Sequence, residues 1–243
     1  MEHQLWITDI VNRAFAGPAN AILNGLRVPA KDPSHPWTNW MVCEILVVLF
    51  MVVLFAALRR RLSVQTPGKF QHMVELTYEF VHASAEEVVG QAGARYLPFF
   101  STIFFFILLM NLIGLIPGFE SPTMYSMVPL GFAVATFAFY HYAGIREHGL
   151  GYVKQFLGPF WWLAWLMLPI ELISQLARPL SLTVRLFANM FAGEQVYVTF
   201  VALTKVIIPV IFIGLHFFVS FLQAYIFMLL AMFYVGGAVA KEE

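Results

Sequence analysis

The chain has few charged residues: Asp, Glu, Lys and Arg make up 12% of its 243 residues, against about 25% in an average soluble domain. Acidic and basic residues balance at 14 each, so the bulk positive charge typical of nucleic-acid-binding proteins is missing. One cysteine, Cys43, excludes an internal disulfide framework and argues against a zinc site. The motifs His-Glu-x-x-His, Gly-x-Ser-x-Gly and Gly-x-x-x-x-Gly-Lys-Ser/Thr are also absent. We therefore expect no cofactor, no metal, no nucleic-acid partner and no direct nucleotide binding.

Long apolar runs dominate instead, because 60% of the residues are hydrophobic and the mean hydropathy is +0.76. The sequence predicts an all-α integral membrane protein with five transmembrane helices and one amphipathic surface helix. The predicted spans cover residues 41–58, 97–116, 124–143, 160–193 and 197–240. The last two exceed the roughly 20 residues that a bilayer needs, so we expect them to form a long, tilted helical hairpin. Its turn is expected near Gly193-Glu194.

Two segments are predicted to lie outside the hydrocarbon. Residues 68–89 place apolar and charged side chains on opposite sides of a helix and are too polar to span, which favours a surface position over an ordinary connector helix. Residues 1–39 are expected to form an extramembrane tail, and residues 40–243 a single membrane domain. The basic residues fall on one side of the membrane if the N-terminus is outside and the C-terminus is cytoplasmic; they are Arg59–Arg61, Lys69, Arg95, Arg146, Lys154 and Lys241.

Arg185 lies inside one of the most apolar stretches, where a charged side chain costs ~2.5–3.5 kcal/mol on insertion scales. Steps of three and four residues connect it to other polar side chains, which keeps them on one side of a helix. This polar stripe comprises Glu171, Ser174, Arg178, Ser181, Arg185 and Asn189. Such a stripe cannot face lipid, so we expect it to face protein or a water-filled path.

The last predicted helix carries a second polar set, His216, Ser220 and Gln223, again at helical spacing. Histidine and a desolvated carboxylate exchange protons near neutral pH, whereas an arginine remains charged and blocks direct passage. We therefore expect two separate proton paths and a moving partner that carries an acidic side chain past Arg185. One path would use Glu194, His216, Asn189 and Gln223, and the other Glu171 and Ser174.

Less specific interpretations stay open for several of these residues. The serines are often packing residues, and Asn189 and Gln223 could join helices by hydrogen bonds. Arg178 could extend toward the cytoplasmic boundary. Pairing of Arg185 within its own helix is disfavoured, because the two nearest glutamates lie roughly 13 and 21 Å away along the axis. A proton-coupled secondary transporter is the alternative function, although the inverted repeats of such proteins are not found.

Several motifs together resemble subunit a of the bacterial F-type ATP synthase. The strongest is the run from Arg178 to Glu194, Arg-Pro-Leu-Ser-Leu-Thr-Val-Arg-Leu-Phe-Ala-Asn-Met-Phe-Ala-Gly-Glu. It is followed by His216 and by Leu-Gln-Ala-Tyr-Ile-Phe-Met at 222–228. Asn-Leu-Ile-Gly-Leu-Ile-Pro at 111–117 and Ser-Pro-Thr at 121–123 are also similar to that family. The resemblance covers residues from about 95 to 240.

The resemblance implies a stator proton-channel subunit of the Fo sector, located in the bacterial inner membrane. Its expected partners are the c-ring, the peripheral-stalk b subunits and lipid, with nucleotide chemistry done elsewhere in the complex. Arg185 would face the rotating c-ring. The outer half-channel would contain Asn189, Glu194, His216 and Gln223, with Glu120 at its entrance, and the inner half-channel Glu171 and Ser174.

Overall fold

A computed structural model describes residues 5–25, 35–63, 68–116, 118–152, 164–204 and 207–240. All regular secondary structure in these ranges is helical. The helices are α1 (Trp6–Gly25), α2 (Asn39–Arg61), α3 (Lys69–Val89), α4 (Gly93–Leu112), α5 (Met127–His148), α6 (Ala164–Leu203) and α7 (Ile207–Val239). Five of them, α2 and α4 to α7, are long and apolar enough to cross a membrane. The predicted all-α membrane fold is therefore confirmed.

Helices α4, α5 and α7 form the centre of the bundle, and the most extensive helix contact joins α4 to α7. Their facing surfaces bury large apolar side chains, among them Phe100, Phe104, Tyr140, Met228 and Met232. Helix α6 packs against α5 and α7 at the edge of this core. In the most apolar 18 residues of α6 only 11% of the residues are buried, against 39% in the corresponding stretches of α4 and α5. Most of α6 is thus available to lipid or to another subunit.

A buried hydrogen-bond network fixes the connection between α4 and α5. Thr123 Oγ1 donates to Asn111 Oδ1 at 2.7 Å, and Asn111 Nδ2 donates to the carbonyl of Ser220 on α7 at 3.2 Å. Ser121 Oγ donates to the Met110 carbonyl at 3.0 Å. A buried polar group without a partner costs about 1–3 kcal/mol, so these bonds strongly favour one position of the turn against α7. Asn111, Ser121 and Thr123, which belong to the sequence motifs at 111–117 and 121–123, therefore have a structural role.

Helix α3 matches the predicted surface helix in its bounds, and it is not among the helices that could span a membrane. Its second half packs on α4 and α7 through Val81, Ser84 and Ala85. The chain then turns tightly into α4, where a Cβ on Gly93 would lie 2.6 Å from the Ala85 carbonyl oxygen. Only glycine permits this approach, which fixes α3 against the start of α4.

The predicted turn of the hairpin at Gly193-Glu194 is wrong. Helix α6 continues without interruption to Leu203, and α7 begins at Ile207, so the spans expected at 160–193 and 197–240 are displaced. The physical reason is that one glycine costs a long helix only about 1 kcal/mol, and glutamate is a good helix former. Smaller differences occur at the starts of α4 and α5, which begin at Gly93 and Met127 rather than at 97 and 124.

The N-terminal region contains a regular helix, α1, that is joined to the start of α2. The Asn12 side chain accepts a hydrogen bond from the Trp37 backbone N–H at 3.0 Å and donates one to the Trp37 carbonyl at 3.1 Å. Asn39 Oδ1 accepts a hydrogen bond from the Leu5 backbone N–H at 3.2 Å. These bonds hold α1 beside the first residues of α2.

Candidate functional site: an outward arginine and three cavities

Arg185 lies in the middle of α6 and points away from the rest of the subunit. Leu182, Leu186 and Met190 form the buried side of this part of the helix, whereas Arg185 and Asn189 are exposed. The Arg185 guanidinium has no hydrogen bond and no ion pair with any residue in the described ranges. A permanent charge in the middle of a membrane-spanning helix is energetically costly if it faces lipid. The arrangement therefore calls for a covering partner or water.

A cavity of about 180 Å³ lies between α6, α7 and the turn that follows α4. We name it the Glu194 cavity; its polar lining comprises Glu194, Tyr197 and His216. A second one, the Asn189 cavity, has a volume of about 240 Å³ and is lined by Asn189, Gly193 and again His216. Because His216 lines both cavities, it stands between Glu194 and Asn189. The structure thus brings together three of the residues predicted for one proton path.

His216 is buried, and its Nε2 has no hydrogen-bond partner among the described protein atoms. The hydroxyl of Ser220, one turn further along α7, is in the same situation. Such groups cost stability and are retained mainly where they serve a function. Gln223 is buried on the same side of α7, but it lines none of the three cavities described.

Glu120 lies next to the Glu194 cavity without lining it. Its neighbours Gly118 and Phe119 do line the cavity, and Glu120 accepts a hydrogen bond from the Tyr125 hydroxyl at 2.8 Å. Its charge lies within electrostatic range of Glu194. The position is compatible with the expected place at the entrance of this path.

The third cavity, of about 340 Å³, lies between the first half of α6 and the end of α7. We name it the Glu171 cavity. Its polar lining comprises Tyr152, Glu171, Gln175, Arg178 and Tyr234. Ser174, predicted beside Glu171, is exposed and does not line this cavity.

Arg178 turns into the Glu171 cavity. Its guanidinium lies 3.9 Å from Glu171 Oε1 and 5.3 and 5.9 Å from the ring centres of Tyr234 and Tyr140. Cation–π contacts of this kind hold a guanidinium in place where water is scarce. Within the subunit, Arg178 therefore has an acidic partner and two aromatic partners.

A chain of hydrogen bonds that sequence reasoning missed supports Glu171. The Tyr140 hydroxyl donates to Gln175 Oε1 at 2.5 Å, and Gln175 Nε2 donates to Glu171 Oε1 at 2.7 Å. Tyr152 follows the end of α5, and its hydroxyl lies 2.9 Å from His141 Nδ1. Burial raises the pKa of the Tyr152 phenol, while the charge of Arg178 acts in the opposite direction. A tyrosine in an apolar helix gives no signal by itself, so only its tertiary contacts reveal it.

Gly193 lies against the His216 ring, so a substitution at this glycine tests the position of the histidine. A Cβ at residue 193 would lie 3.0 Å from His216 Nδ1, tighter than nearly all Cβ contacts in proteins, so we expect the ring to shift by a few tenths of an ångström. We expect Gly193→Ala to assemble but to reduce proton flux about tenfold or more, because a small displacement of a transfer group is costly. Proton uptake by vesicles containing the whole complex measures this.

The matched control for this change is Gly214→Ala on α7, where a Cβ meets no atom within 4 Å. Adding alanine there favours the helix by about 1 kcal/mol and leaves His216 alone. Equal flux in both variants would show that the ring position does not matter.

These features define a multi-pass helical membrane protein with ionisable side chains at membrane depth, the class to which ion-translocating proteins belong. The family model described as ATP synthase A chain matches residues 40–236. The chain belongs to this family. It is 56% identical over 96% of its length to ATP synthase subunit a of Solibacter usitatus, covering 99% of that protein. It is 48% identical to the protein of the same name from Koribacter versatilis, over 99% of this chain and 98% of the relative.

A third relative, ATP synthase subunit a of Aquifex aeolicus, is 41% identical over 186 residues. That alignment covers 73% of this chain and 86% of the relative.

Proposed function

We propose that this chain is the stator proton-channel subunit in the Fo sector of a rotary ATP synthase. Two offset half-channels would carry protons to and from a rotating c-ring, and Arg185 would keep them apart. The observation that carries this proposal is an exposed arginine at membrane depth that has no partner in the described part of its own chain. The relatives named ATP synthase subunit a support the same conclusion.

The exposure of Arg185 indicates the kind of protein that covers it. A guanidinium at membrane depth gains most from an opposite charge, so its partner is expected to carry a membrane carboxylate. Because the arginine never loses its charge, it attracts a passing carboxylate in the ionised state and repels a free proton. A c-ring that rotates past α6 meets both requirements: it supplies one carboxylate after another and protects the arginine from lipid.

The spacing of the cavities supports two offset paths. Glu171 and Glu194 are 23 residues apart on one continuous helix, which corresponds to roughly 35 Å at 1.5 Å per residue. The hydrocarbon of a bilayer is about 30 Å thick. Because α6 is longer than the bilayer is thick and is expected to be tilted, only part of this distance lies across the membrane; it supports two cavities at different depths, one on each side of Arg185 along the helix.

In the direction of synthesis, a proton enters beside Glu120 and reaches Glu194. It then passes His216 and Asn189 to the carboxylate of a c subunit, and Gln223 contributes to this outer path. After rotation the carboxylate approaches Arg185 from the other side and releases its proton toward Ser174 and Glu171. Arg178 and Gln175 hold Glu171 in position by an ion pair at 3.9 Å and a hydrogen bond at 2.7 Å.

The subunit spans the bacterial inner membrane with its N-terminus outside and its C-terminus in the cytoplasm, and it also contacts the b subunits of the peripheral stalk. Residues 1–39 precede the membrane domain formed by 40–243. ATP is made by other subunits. No observation favours the alternative of a proton-coupled secondary transporter, which would need no covering rotor beside Arg185.

Thiol accessibility tests whether the two cavities open to opposite sides. The single native cysteine, Cys43, is buried and can be replaced by Ala. In that background Ile213→Cys labels the Glu194 cavity and Gly237→Cys the Glu171 cavity, where a Cβ at 237 meets no atom within 4 Å. We expect a membrane-impermeant thiol reagent to modify Ile213→Cys only from outside and Gly237→Cys only from the cytoplasmic side.

The control for this experiment is Val52→Cys, on the exposed apolar side of α2, which we expect to stay unlabelled from either side. Labelling of both cavity positions from the same side would contradict the two half-channels.

A further inference from the structure

Helix α1 is fixed at the level where the first span begins. The hydrogen bonds of Asn12 with Trp37 and of Leu5 with Asn39 join it to the N-terminal end of α2. The Trp37 indole N–H also donates to the Phe15 carbonyl at 3.3 Å. Since α2 spans the membrane, these contacts put α1 at a membrane boundary.

The burial pattern of α1 is the reverse of that of a helix on a soluble protein. Its buried side contains the polar residues Thr8 and Asn12, which face the rest of the subunit. Its exposed side contains Trp6, Ile10 and Phe15, which are 68%, 56% and 56% exposed. A surface helix in water places its apolar residues toward the core and its polar residues outward. The exposed apolar side therefore needs another apolar environment.

The distribution of residues around α1 identifies that environment. At about 100° per residue, the apolar side chains occupy roughly half of the circumference. They are Trp6, Ile7, Ile10, Val11, Ala14 and Phe15. Asp9, Arg13 and Asn20 lie together on a narrow edge next to this apolar half. A helix lying in the plane of a membrane interface has this division, with one side among the acyl chains and a charged edge among the headgroups.

We propose that α1 is an in-plane membrane anchor whose apolar side lies in lipid at the headgroup–acyl boundary. Helix α2, which begins beside α1, also exposes apolar side chains in its first half, among them Ile45, Val48 and Leu49. Trp6 and Trp40 add the aromatic residues that prefer this depth. A second protein is a poorer fit, because protein interfaces make about one hydrogen bond per 100–200 Å² and the apolar side of α1 offers no polar side chain between Trp6 and Phe15. On this proposal, residues 6–25 of the region expected to be an extramembrane tail lie in the membrane interface.

Spin-label accessibility in the whole complex tests this assignment. In the Cys43→Ala background, nitroxides are placed at Ile10→Cys on the apolar side and at Asp9→Cys on the polar edge. The complex is reconstituted in vesicles of phosphatidylethanolamine and phosphatidylglycerol. We expect the ratio of oxygen to Ni-EDDA collision rates to be at least about threefold higher at residue 10, since interfacial helices bury their apolar side about 5–10 Å deep.

Two outcomes would overturn the proposal. Equal access of Ni-EDDA to residues 9 and 10 would mean that α1 lies in water, and low collision rates with both reagents at residue 10 would mean that another protein covers it. The pair Ala14→Cys and Asn20→Cys repeats the comparison further along the helix. It decides the question if either of the first two variants fails to assemble.

Discussion

Arg185→Ala is expected to abolish coupled ATP synthesis and ATP-driven proton pumping while the complex still assembles. The side chain is exposed and forms no hydrogen bond or ion pair with the part of the subunit that the structure describes, so we expect its loss to leave the fold intact. Two unit charges 4 Å apart interact by about 4 kcal/mol at an effective dielectric constant of 20, which corresponds to about a thousandfold change in an equilibrium. Without this attraction the rotor carboxylate can pass residue 185 while protonated, so protons leak without driving synthesis.

Three measurements on reconstituted vesicles check this prediction: ATP synthesis under an imposed proton gradient, ATP-driven pumping, and passive proton uptake after the catalytic sector is removed. Arg95→Ala is the matched control. Arg95 forms a surface ion pair with Glu147 at 3.2 Å, and such pairs contribute about 0–1 kcal/mol. We expect normal coupling in Arg95→Ala. Arg185→Lys should also lose most activity, because an ammonium can release its proton when desolvated and lacks the planar fork. Normal pumping in Arg185→Ala would rule out the role assigned to this residue.

The number and approximate position of the spans could be predicted because length and apolarity are properties of the sequence alone. The end of α6 could not. Gly193 looked like a helix terminus, yet the close approach of the His216 ring explains the glycine instead. A glycine that ends a helix and one that makes room for a neighbour look the same in one sequence. The contact that separates them comes from α7, which begins 14 residues later.

The candidate site, too, could be predicted only in part from the sequence. Arg185 was found from its position alone, since a charge among apolar residues needs a reason. The tyrosines near Glu171 and Arg178 were not, because Tyr140 comes from α5 and Tyr234 from α7. Periodicity on α6 reports nothing about residues that other helices contribute. Those residues became recognisable only when α5 and α7 were packed against α6.

The two arginines of the stripe illustrate the limit of helical spacing. Arg178 and Arg185 are seven residues apart, and the sequence places them on the same side of one helix. The structure gives them different surroundings: Arg178 pairs with Glu171 beneath two tyrosine rings, whereas Arg185 remains exposed. Side-chain direction depends on which partners lie within reach: among the described residues, Arg178 has an acidic partner and two aromatic ones, and Arg185 has neither kind.

Glu194→Gln is expected to reduce proton flux by about 10²-fold, the scale on which a positioned proton-transfer group contributes. Gln has nearly the same shape as Glu and keeps the hydrogen-bonding ability of the side chain, but it cannot take up and release a proton. Because Glu194 lines the cavity that His216 shares, this change removes the titratable group in front of the histidine. Passive proton uptake into vesicles stripped of the catalytic sector gives the flux directly, and intact assembly is checked by subunit composition.

Two variants separate the chemistry of Glu194 from its surroundings. Glu194→Asp keeps a carboxylate at a shorter reach and is expected to lie between the native protein and Glu194→Gln. Glu120→Gln removes the other carboxylate within electrostatic range, yet this residue does not line the cavity, so its effect should be clearly smaller. If Glu120→Gln instead stopped proton flux while Glu194→Gln conducted normally, the proton would enter α7 through the turn after α4, and His216 would receive it without Glu194.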